Sequence, residues 1–336
     1  MIARLVLSLI LFIAGIVHIV RPDFFDPAIP FPLKYEINCL AGIIEMALAT
    51  SFWIPRFRDL GARLCALWFL ILIPIHVYIC VMEIPIFGIS NPAFLWGRTL
   101  FQPVLYFWAL SLQEEGWIMS QRWSDVVFLH YEVDQKKLQE LVPFPLDLFE
   151  GKAIVSIVPF VMSRIRFPFL PPIPGFSKLL ELNLRTYVTV DHKRAVYFFT
   201  LDSNHLPGVL IARWFFALPY RWAKLKIKVK NDYEFSSANF EIKARPQSIK
   251  VASAFDRWAT ERYALFTHRG TKNFCGIVEH KSWDLQDLEI VSLRDDFSSM
   301  LGTDLKAKSF RASAYAKVLD VRFRPFRKMA SSSSVL

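Results

Sequence analysis

Four long apolar stretches in the first third of the chain constrain its fold more than any other feature. They occupy residues 5–20, 37–54, 60–81 and 94–112. A helix of about 20 apolar residues crosses the roughly 30 Å hydrocarbon core of a bilayer. No later stretch of this sequence has 18 consecutive, predominantly apolar residues. The pattern therefore predicts that residues 1–115 form an all-α transmembrane bundle of four helices.

The charge of the chain is divided in the same way as its hydrophobicity. The whole chain is 54% hydrophobic and carries a net charge of +10. Basic and acidic residues nearly balance within residues 1–115, so the positive charge belongs to the remainder. A basic domain that is tied to a bilayer is attracted to anionic lipid. Since no nucleic-acid-binding motif accompanies the charge, we expect the lipid bilayer as partner and no nucleic acid; no protein partner is indicated.

The short loops between the apolar stretches indicate an orientation. One side of the membrane would carry Arg4, Arg56, Arg58, Arg63 and Arg122; the other side would carry Arg21, Lys34 and Arg98. Cytoplasmic loops are enriched in Lys and Arg. We therefore expect a multi-pass protein of the inner (cytoplasmic) membrane, with both termini and the soluble domain in the cytoplasm. The four cysteines form no CxxC motif, which agrees with a reducing compartment.

Five polar residues lie within or beside the apolar stretches, on all four predicted helices. They are His18, Glu45, His76, Arg98 and Gln102. At about 1.5 Å of rise per residue, all five fall in the outer half of the membrane. Glu45 is a natural partner for Arg98 or for a histidine. Three interpretations stay open, because intramembrane polar groups are costly: a buried ion pair that holds the bundle together, a site for a quinone, proton or small solute, or interfacial snorkelling.

The same region resembles the DoxX-like four-helix membrane family over about residues 1–112. The resemblance rests on residues 12–18, 42–45, 54–56 and 98–102, in that order and spacing. It implies a link to quinone, thiosulfate or redox chemistry, which some members show. A quinone is the only cofactor that the sequence suggests.

Residues 116–328 show strand patterns and few helices, and residues 329–336 are predicted to be a flexible tail. The pattern predicts an α+β domain that is mainly antiparallel β. Strands are expected at 153–160, 183–190, 195–201, 226–235, 239–244 and 264–266, and helices at 134–141, 203–218 and 284–287. The histidines have no HxH or HExxH spacing, so no metal site is predicted.

One strand of this domain alternates polar and apolar side chains. Alternate residues of a strand share a face, so Glu181, Asn183, Arg185 and Tyr187 point one way. Either this polar face is exposed to solvent, or it lines a closed cavity. A cavity is favoured because the next strand, 195–201, is apolar on both faces. An arginine placed between Asn and Tyr can bind a carboxylate through two hydrogen bonds.

The domain resembles the YqjF-like family (domain of unknown function 2071), which is similar in fold to acetoacetate decarboxylase. The matching segments include 123–130, 149–160, 174–188, 197–202 and 280–283. The resemblance implies a cone-like β-barrel with a small-molecule cavity. In the decarboxylases a Lys-Lys pair supplies a Schiff-base lysine after the segment that matches Pro219. Tyr220 and Arg221 occupy those positions here, so the nucleophile is missing.

We therefore expect a membrane-anchored protein whose barrel binds or transforms a small organic acid; whether it is an enzyme is left open. The expected ligand-binding residues are Glu181, Asn183, Arg185, Tyr187, Arg213 and Tyr220. Arg185 would hold a carboxylate, and Glu181 or Tyr220, the two catalytic candidates, would exchange a proton. Arg213 would contact the ligand or pair with Glu181. The alternatives are a DoxX-like redox or quinone-linked membrane protein with a sensory soluble domain, and a structural or assembly protein.

Overall fold

The computed structural model describes residues 1–175, 178–297, 301 and 310–329, and it divides the chain into two compact units. Unit 1 is Met1–Ile118 and unit 2 is Met119–Leu336. Of the predicted flexible tail, 329–336, only Met329 is described; the other seven residues lie outside the described part.

Unit 1, all of whose residues the structure describes, contains four long helices. They are α1 (Ile2–Val20), α2 (Lys34–Ser51), α3 (Arg58–Val81) and α4 (Pro92–Ser111). Each overlaps one of the four apolar stretches. By length and composition, α1 and the segment Pro55–Val81 are apolar enough to cross a membrane. The polar residues of α2 and α4 lower their hydropathy, so a crossing by all four helices stays a prediction.

Helices α1 and α2 approach each other through two glycines. A Cβ atom on Gly42 would lie 2.5 Å from the carbonyl oxygen of Gly15 and 2.9 Å from Cγ1 of Ile19. A Cβ atom on Gly15 would lie 2.6 Å from the carbonyl oxygen of Gly42. Small residues at a crossing allow two helix backbones to come close. The contact between α1 and α2 therefore depends on the absence of a side chain at both positions.

One end of unit 1 is held by a charged network. Glu114 accepts hydrogen bonds from Arg4 at 3.2 Å and from Arg58 at 2.5 Å. Asp59 accepts the backbone N–H of Glu114 at 2.6 Å, and Arg63 donates to Gln113 at 2.9 Å. The start of α1, the start of α3 and the end of α4 therefore meet at this end.

We predict that Gly42→Ala destabilises unit 1, because the new methyl group would overlap the backbone of α1. The expected loss in the free energy of unfolding is about 1–3 kcal/mol, measured by thermal unfolding of the full chain in detergent. Gly97→Ala on α4 is the matched control, since a Cβ atom there has no neighbour within 4 Å. Alanine favours a helix over glycine, so the control should be neutral or stabilising. Equal effects of the two variants would contradict the glycine contact.

Unit 2 is mainly β, as predicted, and most strand pairs are antiparallel. Its described strands are β1 (Met119–Val133), β2 (Ala153–Arg166), β3 (Lys178–Val190), β4 (Lys193–Ser203), β5 (Tyr220–Trp222), β6 (Lys226–Val229), β7 (Tyr233–Ser236), β8 (Phe240–Ile249), β9 (Ala264–Arg269), β10 (Lys272–Glu279), β11 (Leu285–Asp295), β12 (Phe310–Phe323) and β13 (Arg327–Lys328). The helices are α5 (Gln135–Glu140), α6 (Leu206–Phe216) and α7 (Ala254–Thr260).

Seven of the described strands form a closed circuit of pairing. The order is β10-β9-β4-β3-β2-β1-β12, and β12 pairs with β10 again through Val278↔Phe323 and Glu279↔Arg322. Strand β5 joins β4 in parallel, and β11, β8, β7 and β6 continue the sheet beyond β12. The circuit separates an inner face from an outer face.

Each face of the circuit is buried against its own cluster of apolar side chains. Alternation along β1 sends Val126 and Phe128 to the inner face and Val127 and Leu129 to the outer face. The inner cluster also includes Val158, Phe160, Tyr187, Leu265, Ala314 and, from α7, Phe255 and Trp258. The outer cluster also includes Val155, Leu182, Tyr233, Phe235 and Ile242. Unit 2 therefore has two buried layers, one inside the circuit and one between its wall and the β6–β8 extension.

Several predicted elements differ from the structure. The expected helix at 284–287 is wrong, because this segment begins β11, where Leu285 pairs with Ala316. The expected strand 226–235 is two strands, β6 and β7, joined by a turn. Helix α6 begins at Leu206 after its N-cap His205, and not at 203. The helix capped by Asp134 is confirmed as α5. Helix α7 was not predicted, although Ser253 and Asp256 form a capping box at its start.

Candidate functional site

The polar face of β3 points into the inner cluster. Strand β2 pairs with β3 in the register Phe160↔Glu181, Val158↔Asn183 and Ser156↔Arg185, so these side chains share the inner face. Glu181 and Asn183 are each 4% exposed, and Tyr187 is fully buried. The interpretation of a solvent-exposed face is therefore wrong. The row of polar side chains lies in the interior of unit 2.

Glu181 and Tyr220 form a short hydrogen bond in this interior. The parallel pairing of Leu201 with Tyr220 brings β5 beside β4, and the Tyr220 hydroxyl donates to Oε2 of Glu181 at 2.6 Å. Burial raises the pKa of Glu181 to about 7, although hydrogen bonds from Tyr220 and Asn183 oppose the shift. Burial and the neighbouring carboxylate raise the pKa of Tyr220 well above its ordinary value. At neutral pH the pair is poised between a carboxylic acid and a carboxylate.

Arg185 has no hydrogen-bonding partner among the described residues. Its Nε atom is buried and unpaired. The guanidinium lies 5.6 Å from the ring centre of Phe128 and 5.9 Å from that of Tyr187. The faces of these rings attract a cation, but they offer no acceptor to its Nε–H. A half-buried guanidinium whose Nε–H has no partner among the described residues can bind an anion such as a carboxylate.

A second polar group on the inner face, centred on His130, was not predicted from the sequence. Nδ1 of His130 and the Ser156 hydroxyl are 2.7 Å apart, and the Ser156 and Tyr187 hydroxyls are 2.7 Å apart. Burial and the charge of Arg185 lower the pKa of His130 to about 3, so the ring is neutral. Its Nε2 atom is buried and has no hydrogen-bonding partner in the part of the chain that the structure describes. In the sequence, His130 and Ser156 appear only as single polar residues in two apolar strands, and nothing there shows that they pair.

A second arginine, Arg262, contacts Tyr187 of this group. Arg262 donates to Asp147 at 2.5 Å, and its guanidinium lies 4.5 Å from the Trp258 ring centre and 4.8 Å from that of Tyr187. The charge of Arg262 is therefore compensated by a carboxylate. Both cations contact Tyr187, and each has one buried nitrogen without a partner among the described residues, Nε of Arg185 and Nη2 of Arg262. They differ in that Arg262 forms an ion pair with a carboxylate.

The structure does not bring Arg213 to this site. Arg213 is exposed on α6 and lines a surface groove with His268 and Arg269. The expected pair of Arg213 with Glu181 is therefore wrong, because Glu181 bonds to Tyr220 and Asn183 instead. Arg221, next to Tyr220, forms a bidentate pair with Asp202 at 2.7 and 3.0 Å.

A groove of about 480 Å³ beside α7 reaches the same region from outside. Its lining residues include Lys250, Ser253, Phe255, Asp256 and Arg311. The ring of Phe255 lies 5.1 Å, centre to centre, from the ring of His130. One side chain therefore lines the groove and contacts the buried polar group.

Four of the five predicted polar residues of unit 1 take part in three separate hydrogen bonds, and the guanidinium of the fifth, Arg98, lies 5.8 Å from the ring centre of Phe94. His18 bonds to Asn38 at 2.8 Å, the Trp68 indole donates to Glu45 at 3.3 Å, and Gln102 bonds to His76 at 3.2 Å. The predicted ion pair of Glu45 with Arg98 or a histidine is wrong, since within unit 1 the hydrogen-bonding partner of Glu45 is Trp68. Among the described residues of the whole chain, no three His, Cys, Asp or Glu side chains group as metal ligands.

Residues 120–319 match the family DUF2071, described as an uncharacterized conserved protein, and the chain belongs to this family. It is similar to the Bacillus subtilis (strain 168) protein named "Uncharacterized protein YqjF", with 39% identity over 235 residues. That match covers 65% of this chain and 96% of the relative. Residues 7–113 match a different family, DUF8561, a domain of unknown function. The resemblance of this region to the DoxX-like family therefore stays a prediction.

Solved structures give weaker similarities. Acetoacetate decarboxylase from Legionella pneumophila has a TM-score of 0.47 and 14% identity, and the match covers 62% of this chain and 87% of that one. The enduracididine biosynthesis enzyme MppR has a TM-score of 0.47 and 10% identity, with 66% and 91% covered. Similarity at this level carries no argument about a reaction, so the site rests on the residues of this chain.

Unit 2 has the properties of a domain that folds alone. All described members of the two apolar clusters named above belong to this unit. The DUF2071 match, residues 120–319, lies wholly within it. The YqjF match takes up 96% of that relative. Residues 119–336 are therefore the segment that we choose for experiments on unit 2 alone.

We predict that Glu181 makes the stability of unit 2 depend on pH. Its pKa is about 7 in the folded protein, above the ordinary value of 4.5. Between these values the folded state holds a proton that the unfolded state has lost. The free energy of unfolding should therefore fall as the pH rises from 4.5 to about 7, by roughly 3 kcal/mol at most, and then level off. Chemical denaturation of residues 119–336 at several pH values measures this fall.

Two variants test the assignment to Glu181. Glu181→Gln should abolish the fall, whereas Glu241→Gln, on an exposed position of β8, should retain it. Tyr220→Phe should move the fall to higher pH, because it removes a hydrogen bond that stabilises the charged carboxylate. A fall that persists in Glu181→Gln would assign the titration to another group.

Proposed function

We propose that unit 2 binds a small carboxylic acid on the inner face of the circuit. The observation that supports this most directly is Arg185, a cation with a buried and unpaired Nε atom inside the domain. Burying a charge without a partner is costly, and a bidentate carboxylate would satisfy the free donors. The neighbouring unpaired atoms, Nε2 of His130 and Oδ1 of Asn183, give a ligand two further polar contacts.

The site has one group whose pKa suits proton exchange at neutral pH. Glu181, with a pKa of about 7, either takes a proton from a bound acid or gives one to it. Tyr220 holds the carboxyl group in place through its 2.6 Å hydrogen bond. If the ligand is transformed, Glu181 is the acid or base. Neither Tyr220 nor Arg221 offers an amine that could form a Schiff base, so the chemistry that we propose is proton exchange and not covalent.

The closed circuit of strands surrounds the proposed binding site. We regard it as the wall of the predicted barrel, with the inner face as the cavity lining. The groove beside α7 is the proposed entrance, and Phe255 separates it from His130. Lys250 and Arg311 line this groove together with Asp256 and Asp287, and both basic side chains are ion-paired with carboxylates. The groove therefore supplies access to the inner face and no net positive charge.

We expect Arg185→Ala to weaken the binding of small carboxylic acids. Residues 119–336 would be screened with such acids by thermal shift, and the affinities of the hits would then be measured by calorimetry. Loss of a bidentate, charge-assisted contact should weaken binding about 10- to 100-fold. Arg213→Ala is the control, because it removes an arginine that is exposed on α6. The proposal fails if no acid stabilises the wild type, or if Arg185→Ala binds the same acid equally well.

Unit 1 is proposed as the membrane anchor, with both termini in the cytoplasm. The network at Glu114 supports this orientation, because it gathers Arg4 and Arg58 at one end of the unit, with Arg63 beside them at Gln113. Such an end corresponds to the cytoplasmic side. The basic residues Arg21 and Lys34 lie elsewhere in unit 1, where Asp23 compensates Arg21.

Cysteine labelling of intact cells tests this topology. In a full chain without its native cysteines, Ser90→Cys, between α3 and α4, should react with a membrane-impermeant maleimide. Glu115→Cys, after α4, should react only after the cells are opened, because a bilayer excludes the charged reagent. Both positions are exposed, so accessibility within the protein is matched. The reverse pattern would invert the orientation, and labelling of both in intact cells would exclude an odd number of crossings between them.

The second candidate is a redox protein that uses a quinone in unit 1. Two buried oxygens favour it, Oε2 of Glu45 and Oε1 of Gln102, because neither has a partner. They belong to two different hydrogen-bonded pairs, whereas the unpaired atoms of unit 2 share one face of neighbouring strands. The carboxylic acid site is therefore the stronger proposal. A purely structural or assembly role would leave the unpaired Arg185 without a purpose.

A further inference from the structure

Helix α6 exposes a continuous apolar face. Leu206, Leu210, Ile211 and Trp214 are 49%, 58%, 47% and 79% exposed. At 3.6 residues per turn, these four positions lie on one side of the helix. Val209, on the opposite side, is 3% exposed and packs into the domain. The side of the helix with Val209 is therefore buried, and the side with the four large apolar residues faces outward.

An exposed apolar face of this size is unusual for a helix on the surface of a soluble domain. The exposed side of a surface helix is normally polar, and contiguous exposed apolar patches mark interaction sites. Each of the four side chains is large, and tryptophan in particular is enriched at membrane–water interfaces. The outward face of α6 is therefore suited to contact an apolar phase.

Basic groups border this face. Arg213 lies beside it on the same helix and is exposed. Arg269 donates to the carbonyl oxygens of Arg213 and Trp214 at 2.6 and 2.8 Å, which fixes its guanidinium at the end of α6. Arg213, His268 and Arg269 line a groove of about 270 Å³. None of the described lining residues of this groove is acidic.

We propose that α6 is an interfacial membrane helix, which places its apolar face among the lipids and the adjoining groove around an anionic lipid headgroup. An amphipathic helix with Trp and Leu on one face and Arg at its border binds bilayers in this way. A bilayer is favoured over a protein partner for two reasons. The basic groove complements an anionic surface, and the same chain contains α1 and the segment Pro55–Val81, which are apolar enough to cross a membrane. This role is independent of the proposed carboxylic acid site.

Vesicle binding by residues 119–336 tests the proposal without the helices of unit 1. The wild type should sediment with vesicles of phosphatidylcholine and phosphatidylglycerol, and much less with phosphatidylcholine alone. The double variant Leu210→Gln/Trp214→Gln should bind the anionic vesicles about tenfold more weakly or worse, because it removes apolar area from the interface. Arg213→Gln should weaken binding to the anionic vesicles and leave the residual binding to neutral ones unchanged.

A matched control removes equally exposed apolar residues from another surface. Ile249 and Val318 are 79% and 50% exposed, and neither lies on α6. Ile249→Gln/Val318→Gln should bind vesicles like the wild type. Thermal unfolding of every variant shows whether the fold is retained; if the α6 variant is unfolded, the single variant Leu210→Gln replaces it.

A second measurement uses the full chain in lipid nanodiscs. Backbone amide hydrogen exchange at residues 206–216 should be slower when the nanodisc contains phosphatidylglycerol than when it contains phosphatidylcholine alone. Three results would overturn the proposal: absence of vesicle binding by the wild type, equal binding by Leu210→Gln/Trp214→Gln, or a dimer of residues 119–336 in solution that this variant abolishes. The last result would assign the face to a second copy of the chain.

Discussion

The pairing of β12 with β10 is the constraint on which the rest of unit 2 depends. Without this pairing, the seven strands of the circuit would form an open sheet with β10 at one edge and β12 at the other. Pairing at Val278 and Glu279, together with the ion pair of Glu279 and Arg324, joins the two edges. Closure removes exposed strand edges and keeps water from the inner side chains. The polar row on β3 then has to satisfy its hydrogen bonds internally or with a ligand.

The electrostatics of the site follow from this enclosure. The carboxyl group of Glu181 and the imidazole of His130 both favour their neutral forms, for the same reason of burial. The guanidinium of Arg185 lies on the same face, and its Nε–H has no partner among the described residues. The groups that we propose for proton exchange are therefore distinct from the group that we propose for anion binding.

The sequence predicted those features that depend on local periodicity. The alternation of Glu181, Asn183, Arg185 and Tyr187 has a period of two, so their common face followed directly. The apolar stretches predicted the four helices of unit 1 in the same way. The partners of these residues were harder to predict, since they depend on register between distant strands. His130 and Ser156 are single polar residues in apolar strands, and only their pairing shows that they form one group.

Tertiary contacts also decided the elements that were predicted wrongly. The segment at 284–287 has no strong local preference, and its pairing with β12 and β8 makes it a strand. Arg213 was expected to contact the ligand or pair with Glu181 because it lies in an apolar helical segment, but α6 turns its arginine toward the surface. For α7 the local signal was present, as a Ser and an Asp three residues apart, and the helix places Phe255 and Trp258 over the inner face.

If unit 2 binds the carboxylic acid that we propose, Arg185 links folding to ligand supply. A molecule that binds only the folded state stabilises it by mass action, and here it would also pair with the Nε–H of Arg185. Cellular proteases continuously remove the unfolded fraction of marginally stable proteins. The abundance of this protein in the cell would then rise and fall with the concentration of its acid, with no change in transcription.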